Sequence, residues 1–364
     1  MSPRFAAPSL IELATGLLEQ RGAPPANASL VARSLVEADA AGIFSHGLLR
    51  LPLYLRAVTS GGIDPTSEPE VIRQHGAVTV LDARAAFGQV AMQRAVDLAA
   101  GTAREHGMAT VAVQGSSHFG AGRFWIEQLT DQGIAGILAS TTGPVAAAYG
   151  GSVPVLGTNP FTIGLPSAGE GPLVADLATT AGAYGKVVAA RDAGEPIPED
   201  WAVDAAGRPT TDPSAVLDGG ALLPFGGHKG SGIAVLLEAL SAALTSASFA
   251  MNTVDIWQDP SSRMNTGHLL IALDLAAFGD PATIRGRVAA LQESVRASHP
   301  EREVLSPGDL EHRRRRQAGA GVAVPEATVA ELRELAAAAS LPFPDPVPEH
   351  EPAAASAASE GSRP

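Results

Sequence analysis

The sequence predicts an α/β fold, and three observations predict it. Ala77 to Leu81 and Thr110 to Val113 are short apolar runs of strand character, and between them Met92, Ala95, Val96, Ala99 and Ala103 recur at helical spacing. Ile134 to Ser140 is a further apolar run, short enough for a buried strand, and Phe161 to Leu165 and Leu173 to Asp176 are two more candidates. Strands that alternate with helices in this way are the mark of the α/β class.

The remaining elements follow from local chemistry. Ser9 followed by Glu12 fits a capping box, and Leu10, Leu13, Ala14, Leu17 and Leu18 form a helical stripe that runs out near Gly22. A second helix is expected from Asn27, carrying Leu30, Val31, Leu35 and Ala38 and stopping by Gly42. Leu53 to Val58 continues helically until Gly61-Gly62. Residues 190 to 224 are rich in Asp, Pro and Gly and read as a long ordered excursion. A strong helix follows Gly232, and Leu269 to Leu275 reads as a strand. Asp280-Pro281 is an N-cap with proline at the first helical position, followed by one face of Ile284, Val288, Leu291 and Val295. Pro325 opens a last helix with Val329, Leu332 and Leu335. Residues 342 to 364 mix proline with Ala, Ser and Glu and have little to bury, so they are expected to be disordered.

Composition narrows the function. A chain of 364 residues, 45% of them hydrophobic, suits two compact domains or one large domain with a smaller lobe. The formal charge of −13 argues against a nucleic-acid or anionic-membrane partner. The basic run Arg313 to Arg316 therefore reads as a solvated helix face. With no cysteine, disulfides, thiolate catalysis and iron–sulfur clusters are excluded. The first residues lack a long apolar run, and Ile233 to Leu244 is interrupted by Glu238 and too short to span a bilayer. A soluble, cytoplasmic protein is expected.

Five short segments carry chemistry. Ser45-His46-Gly47 with Arg50 would put His46 and Arg50 on one face of a helix starting near Ser45. Histidine exchanges a proton near neutrality and arginine grips a carboxylate bidentately; a capping serine with a structural histidine and a surface arginine is the alternative. Ser116-Ser117-His118-Phe119-Gly120 follows a strand directly, where ligands gather in α/β folds. Gly226-Gly227-His228-Lys229-Gly230-Ser231-Gly232 is a glycine-rich turn entering a helix, suited to a phosphate or to a plain tight turn. Gly157-Thr158-Asn159-Pro160 and Asp176 to Thr180 lie beside short strands, and Asp176 could orient a histidine, bind a ribose or cap a turn. Neither GxGxxG after a strand nor GxxxxGK[ST] is present.

Eight stretches in register resemble the malate/L-lactate dehydrogenase family of the non-Rossmann type, which also holds ureidoglycolate, sulfolactate, diketogulonate and Δ1-piperideine-2-carboxylate oxidoreductases. They are EADAAGIFSHGLLRLPLYLRAVTSGGIDP, VAVQGSSHFGAGRFW, STTGPVAAAYGGSVPVLGTNPFTIGLP, DLATTAGAYGKV, GRPTTDP, LLPFGGHKGSGIAVLLEAL, NTGHLLIALD and SPGDLEHRRR, running from about Glu37 to Arg315.

The resemblance implies an NAD- or NADP-dependent enzyme, commonly a homodimer, acting on a small 2-hydroxy or 2-oxo acid. It implies a non-Rossmann nucleotide-binding domain with a mixed sheet over residues 77–298, and a helical domain formed from both chain ends, residues 1–76 and 299–341. On the family pattern His46 donates the proton to the reduced carbonyl or imine, supported by Ser45 and Asp176 as a relay, while Arg50 holds the substrate carboxylate. His118 resembles a histidine that some members use as the acid–base or against the substrate, so it competes with His46. Ser140, Asp176, Leu177, Ala178, His228, Lys229, Ser306, Pro307 and Gly308 match positions that contact the dinucleotide. No metal is implied. The competing readings are a ketimine reductase acting on Δ1-piperideine-2-carboxylate or Δ1-pyrroline-2-carboxylate, a metal-dependent hydrolase using His46, His118, His228 and Asp176, and a non-catalytic nucleotide-binding protein.

Overall fold

The computed structural model describes residues 2–348. The chain opens with β1 (Arg4–Phe5) and the helices α1 (Ala7–Glu19), α2 (Pro25–Ala40) and α3 (Leu51–Ser60). The strands β2 (Glu70–His75) and β3 (Val78–Asp82), the helix α4 (Gly88–His106), β4 (Met108–Ser116), α5 (Gly122–Thr130), β5 (Ile134–Ser140), β6 (Phe161–Leu165) and β7 (Leu173–Leu177) follow. The excursion holds α6 (Tyr184–Ala193), β8 (Ala202–Val203), α7 (Pro213–Leu217) and β9 (Ala221–Leu222). The chain then forms α8 (His228–Glu238), β10 (Thr266–Asp274), α9 (Pro281–Arg296), α10 (Asp309–Gln317), β11 (Val322–Ala323) and α11 (Glu326–Ala338).

Seven strands form one mixed sheet in the order β2-β3-β4-β10-β5-β6-β7. Only β3 and β4 pair in parallel; the other five pairings are antiparallel. The parallel pair is the one joined by a long helix, α4, because parallel neighbours need a crossover. Strand β10 enters the middle of the sheet late in the chain, with Leu270 opposite Val111 on one side and Leu138 on the other. Both its faces are covered, so Thr266 to Leu270 is buried throughout.

Two cores organise the molecule. Helices α4 and α5 lay Met92, Val96, Trp125, Ile126 and Leu129 on Val111, Val113, Leu138 and Leu270 of the sheet. The other core joins both chain ends: Leu10, Leu17, Leu35, Leu51 and Tyr54 pack with Val329 and Leu332 of α11. Pairing of β1 with β11 fastens the same ends together. The excursion has its own small cluster, including Leu156, Val187, Val216 and Leu222.

Several elements of the fold depart from the sequence expectations. Helix α1 begins at Ala7 behind Ala6, with Pro8 in its first turn and no side-chain cap, so Ser9 is helical and caps nothing. Strand β2 has no apolar alternation to announce it, because it is an exposed edge whose partner β3 supplies its hydrogen bonds. The arginine run of α10 is not simply solvated: Arg313 pairs with Glu303, Arg315 with Glu37 and Glu127, and Arg316 with Glu170. Glu127 also meets Arg123, a guanidinium only 4% exposed that bonds Glu311 in return, so the run ties α10 to α2 and α5. The proline-rich segment begins with contacts: Phe343 lies edge-on to Phe5, and the Val347 N–H donates to the Arg4 carbonyl. Its residues 349–364 lie outside those described. The expected Asp280 cap is present, its carboxylate accepting from the Thr283 N–H at 2.8 Å.

One close approach fixes where the site is built. A Cβ on Gly88, the first residue of α4, would stand 2.5 Å from the Ser117 carbonyl oxygen and 2.6 Å from that of His118. Gly88→Ala should therefore destabilise the protein by roughly 1–3 kcal/mol through overpacking, although alanine is the better helix former. A thermal melt should show Tm falling by several degrees; an unchanged or raised Tm would remove this constraint.

Candidate active site

The histidine–arginine pair is arranged differently from the single helical face expected for it. Phe44–His46 and Leu48–Arg50 are two separate 3-10 turns, split by extended Gly47, and Arg50 caps α3. The break is enforced from below. Asp39, buried in the last turn of α2, accepts a hydrogen bond from the Leu48 N–H at 2.9 Å. Its carboxylate lies so close to Gly47 that no Cβ fits there. Burial pushes the Asp39 carboxyl up to about 7, against the pull of that hydrogen bond.

His46 and Arg50 still meet, through the backbone. Arg50 Nε donates to the Ser45 carbonyl at 2.6 Å, and Ser45 Oγ lies 2.9 Å from His46 Nδ1. The guanidinium is stacked over Trp257, its carbon 4.5 Å from the ring centroid. Among the described residues no carboxylate forms an ion pair with Arg50, and its two terminal nitrogens donate to no protein group.

His118 completes the cluster. Its ring stacks on that of His46, with centroids 5.5 Å apart and planes 23° apart, and meets Trp257 edge-on at 5.2 Å. The loop carrying it is held by Ser117 Oγ, which accepts from the Gly88 N–H at 3.1 Å. Tyr54 of α3 places its hydroxyl 2.6 Å from His118 Nδ1. Burial first, then the Arg50 charge, lowers His46 to about 4. His118 is held well below 6.5 by burial, then by His46, Arg50 and His268. Both imidazoles are therefore neutral at pH 7. Asp255 is pushed up to about 6 by burial, with Arg50 pulling the other way.

Asp176 is not brought to either histidine by a hydrogen bond. Thr162 Oγ1 donates to one of its oxygens at 2.8 Å and the Arg123 N–H to the other at 3.0 Å, so it closes the start of α5 onto the sheet. Burial raises it above the usual carboxylate range. The residues expected against a dinucleotide are strung along the same edge. Asp176, Leu177 and Ala178 lead to Thr179, whose carbonyl accepts from the Phe225 N–H at 3.0 Å, and Phe225 leads into the turn of His228 and Lys229. On the other side, the Val174 N–H donates to the Pro307 carbonyl and Gly308 packs against β7. Ser140 stands at the end of β5, its hydroxyl 2.8 Å from His268 Nδ1, and His268 packs on Phe119, the neighbour of His118.

Several contributors carry no sequence signal. Tyr54, Gln89, the pair Asp255 and Trp257, and His268 come from four different segments and converge only through the fold. Asp39 lies in the EADAAGIFSHG stretch, but nothing in that spelling says it faces inward.

Comparison with known proteins shows the family. The model of the malate/L-lactate dehydrogenase family matches residues 5–333. The chain is 38% identical over 324 residues to the (2R)-3-sulfolactate dehydrogenase (NADP(+)) of Chromohalobacter salexigens, covering 89% of this chain and 95% of that one. It is 36% identical over 333 residues to a Δ1-pyrroline-2-carboxylate/Δ1-piperideine-2-carboxylate reductase of Pseudomonas syringae pv. tomato, covering 90% and 95%. The sulfolactate dehydrogenase structure from Methanocaldococcus jannaschii superposes with a TM-score of 0.87 at 31% identity, over 93% of this chain and 98% of that one. A sheet with one parallel pair, two facing histidines and an unpaired arginine thus occur in a chain that belongs to the malate/L-lactate dehydrogenase family.

Proposed function

We propose that this protein is an NAD(P)-dependent oxidoreductase that interconverts a small 2-hydroxy acid and its 2-oxo acid, with Arg50 holding the carboxylate and His46 exchanging the proton. The observation that carries the reading is the Arg50 guanidinium, half-buried, stacked on Trp257 and without a carboxylate of its own beside two neutral histidines. A cation placed so has Asp255 in its field but no direct ion pair, and a substrate carboxylate can supply one bidentately.

The residues present also fit a dinucleotide. Ser306 Oγ is buried with no partner among the described residues. The turn into α8 has Gly226 and Gly227 at φ 58 and 62, leaving backbone N–H groups at a helix start suited to phosphate. His228 and Lys229 are exposed beside it, and among the described residues neither side chain makes a hydrogen bond or ion pair, His228 meeting only the Tyr149 ring edge-on at 6.0 Å. These residues, with Ser140, Leu177, Ala178, Pro307 and Gly308, would hold the dinucleotide; Asp176, committed to Thr162 and Arg123, would shape that edge. When bound, the dinucleotide supplies or accepts the hydride at C2. The nucleotide-binding unit is read as a non-Rossmann domain of residues 77–298 joined by β2, packed against a helical unit from residues 1–76 and 299–341.

The proton chemistry falls to the histidines. Ser45 Oγ has no other side-chain partner, so its hydroxyl can either give to or accept from His46 Nδ1 and follow a change of charge on the ring. A carboxylate on Arg50 cancels part of the field that lowers His46, which brings its proton affinity back toward neutrality when substrate is bound. His46 then protonates the developing alkoxide, and His118 Nε2 donates a hydrogen bond to the same oxygen. Trp257 keeps water from the guanidinium face.

A second reading is a ketimine reductase acting on Δ1-piperideine-2-carboxylate or Δ1-pyrroline-2-carboxylate. Asp255 favours it, because a carboxylate in the field of Arg50 would sit better beside an iminium cation than beside a neutral carbonyl. A homodimer belongs to the proposal: Ile233, Leu236, Leu240 and Leu244 leave an exposed apolar stripe along α8 and its continuation, which a second copy would cover. So does a cytoplasmic location, where the dinucleotide is held; no helix among the described residues is long and apolar enough to cross a membrane.

Three outcomes are expected. Purified protein should oxidise NADH or NADPH with pyruvate, oxaloacetate or 3-sulfopyruvate; turnover of Δ1-piperideine-2-carboxylate alone would replace the first reading by the second. Arg50→Lys should raise KM about 10- to 100-fold with a smaller change in kcat, since one charge-assisted fork is lost; unchanged kinetics would take Arg50 out of the site. Because the free enzyme's His46 titrates at about 4, kcat/KM for reduction should fall about tenfold per pH unit between pH 5 and 8, while oxidation, which needs the neutral ring, stays flat. His46→Asn should abolish that slope; a slope that survives would move the proton to another group.

A further inference from the structure

The geometry points to Gln89 as the residue that fixes the protonation pattern of His118, acting through Tyr54, and so keeps His118 a hydrogen-bond donor to the substrate. Gln89 is the second residue of α4 and is 0% exposed. Its Nε2 donates to Tyr54 Oη at 3.0 Å. Tyr54, also 0% exposed and held at an angle against Phe87, has its hydroxyl 2.6 Å from His118 Nδ1. Three elements, α3, α4 and the loop after β4, thus supply one unbranched chain of hydrogen bonds.

The direction of that chain follows from the donor inventory. An amide nitrogen has only protons to give, so Tyr54 Oη must accept from Gln89. The phenol then has its single proton to place, and the atom in reach is His118 Nδ1. An Nδ1 that accepts is unprotonated, so the proton of the neutral ring is on Nε2. Burial raises the phenol of Tyr54 and lowers the imidazole of His118, which leaves both in the neutral forms this pattern requires. The amide orientation is the one that burial favours. Gln89 Oε1 is buried without a partner; turning the amide over would bury an NH2 group there instead, and orphaned buried donors are rarer than under-used carbonyls.

The contrast with His46 gives the wiring a purpose. Ser45 is a rotor that can serve either state of His46, whereas Gln89 and Tyr54 admit one state of His118. With Nδ1 occupied, Nε2 is the ring atom left to act, and it carries hydrogen. On the hydride-transfer reading above, His118 then stabilises negative charge on the substrate oxygen without taking its proton, and His46 alone exchanges it. Gln89 is a positioning residue for this chemistry; it touches neither reactant.

The test reads the ring directly. Long-range 1H–15N correlation spectra of histidine-labelled full-length protein, assigned with His118→Asn, should show the His118 Nε2–H tautomer in the wild type. Gln89→Glu puts an acceptor where the donor stood, so Tyr54 turns its proton toward residue 89 and His118 should move to the Nδ1–H tautomer. Gln89→Met, which has neither group and similar volume, should give a mixture of the two, and it carries the test alone if the glutamate variant does not fold. In steady-state kinetics Gln89→Glu should lower kcat by about 10- to 100-fold, the scale of losing one preorganised donor, with KM within about threefold because Arg50 is untouched. A wild-type ring in the Nδ1–H form, or the same tautomer in wild type and variants, would overturn the assignment. Absence of turnover by the wild type on every 2-oxo and 2-imino acid would instead overturn the functional reading and leave the tautomer result standing.

Discussion

A guanidinium with no direct ion pair is the constraint on which the candidate site depends. Arg50 is held on one side by the Ser45 carbonyl and on its face by Trp257, and neither neutralises its charge. Its field reaches His46 and His118 and helps hold both rings neutral, and the same field favours the ionised form of Asp255. The free site is therefore an electrostatic arrangement waiting for an anion. A carboxylate arriving at Arg50 changes the proton affinity of the adjacent imidazole, which couples substrate binding to the availability of the proton.

The scaffold serves that arrangement by close backbone approaches more than by large contacts. Gly47 lets the histidine loop lie directly on Asp39, and Gly88 lets α4 start directly under the carbonyls of Ser117 and His118. The two loops come from different cores, one built from both chain ends and one from the sheet with α4 and α5. Tyr54 and Gln89 cross that division, so the hydrogen bonds that orient His118 also fasten the two cores to each other. Farther away, the Arg123–Glu127–Arg315–Glu37 ion pairs do the same for α5, α10 and α2. A buried carboxylate such as Glu127 makes those links costly to break, since removing one arginine leaves its charge uncompensated.

Much of this was legible in the sequence. Buried strands such as Ile134 to Ser140 and Phe161 to Leu165 declare themselves by composition, and their bounds agree with the structure. His46, Arg50 and His118 stand out in the sequence because histidine and arginine in glycine-flanked loops are conspicuous, and the structure brings the three side chains together. What was not legible depends on partners distant along the chain. The edge strand β2 owes its existence to β3, and Ser9 has no capping role because the helix starts two residues before it, at Ala7 behind Ala6. Trp257 and Asp255 lie about 200 residues from Arg50, and no local pattern links them. Gln89 looks like any polar residue in the first turn of a helix until Tyr54 is placed beside it. The relay expected between Asp176 and His46 was a matter of motif order; both oxygens of Asp176 are taken by Thr162 and Arg123.

The most direct measurement of the central claim is a crystal structure of the protein with reduced dinucleotide and oxamate, an unreactive 2-oxo acid analogue. The oxamate carboxylate should lie on the two terminal nitrogens of Arg50 and its amide carbonyl oxygen within hydrogen-bond distance of His46 Nε2 and His118 Nε2, with the nicotinamide ring over its C2. An oxamate carboxylate bound to any other cation, or a nicotinamide ring in a cleft that excludes His46 and Arg50, would contradict it.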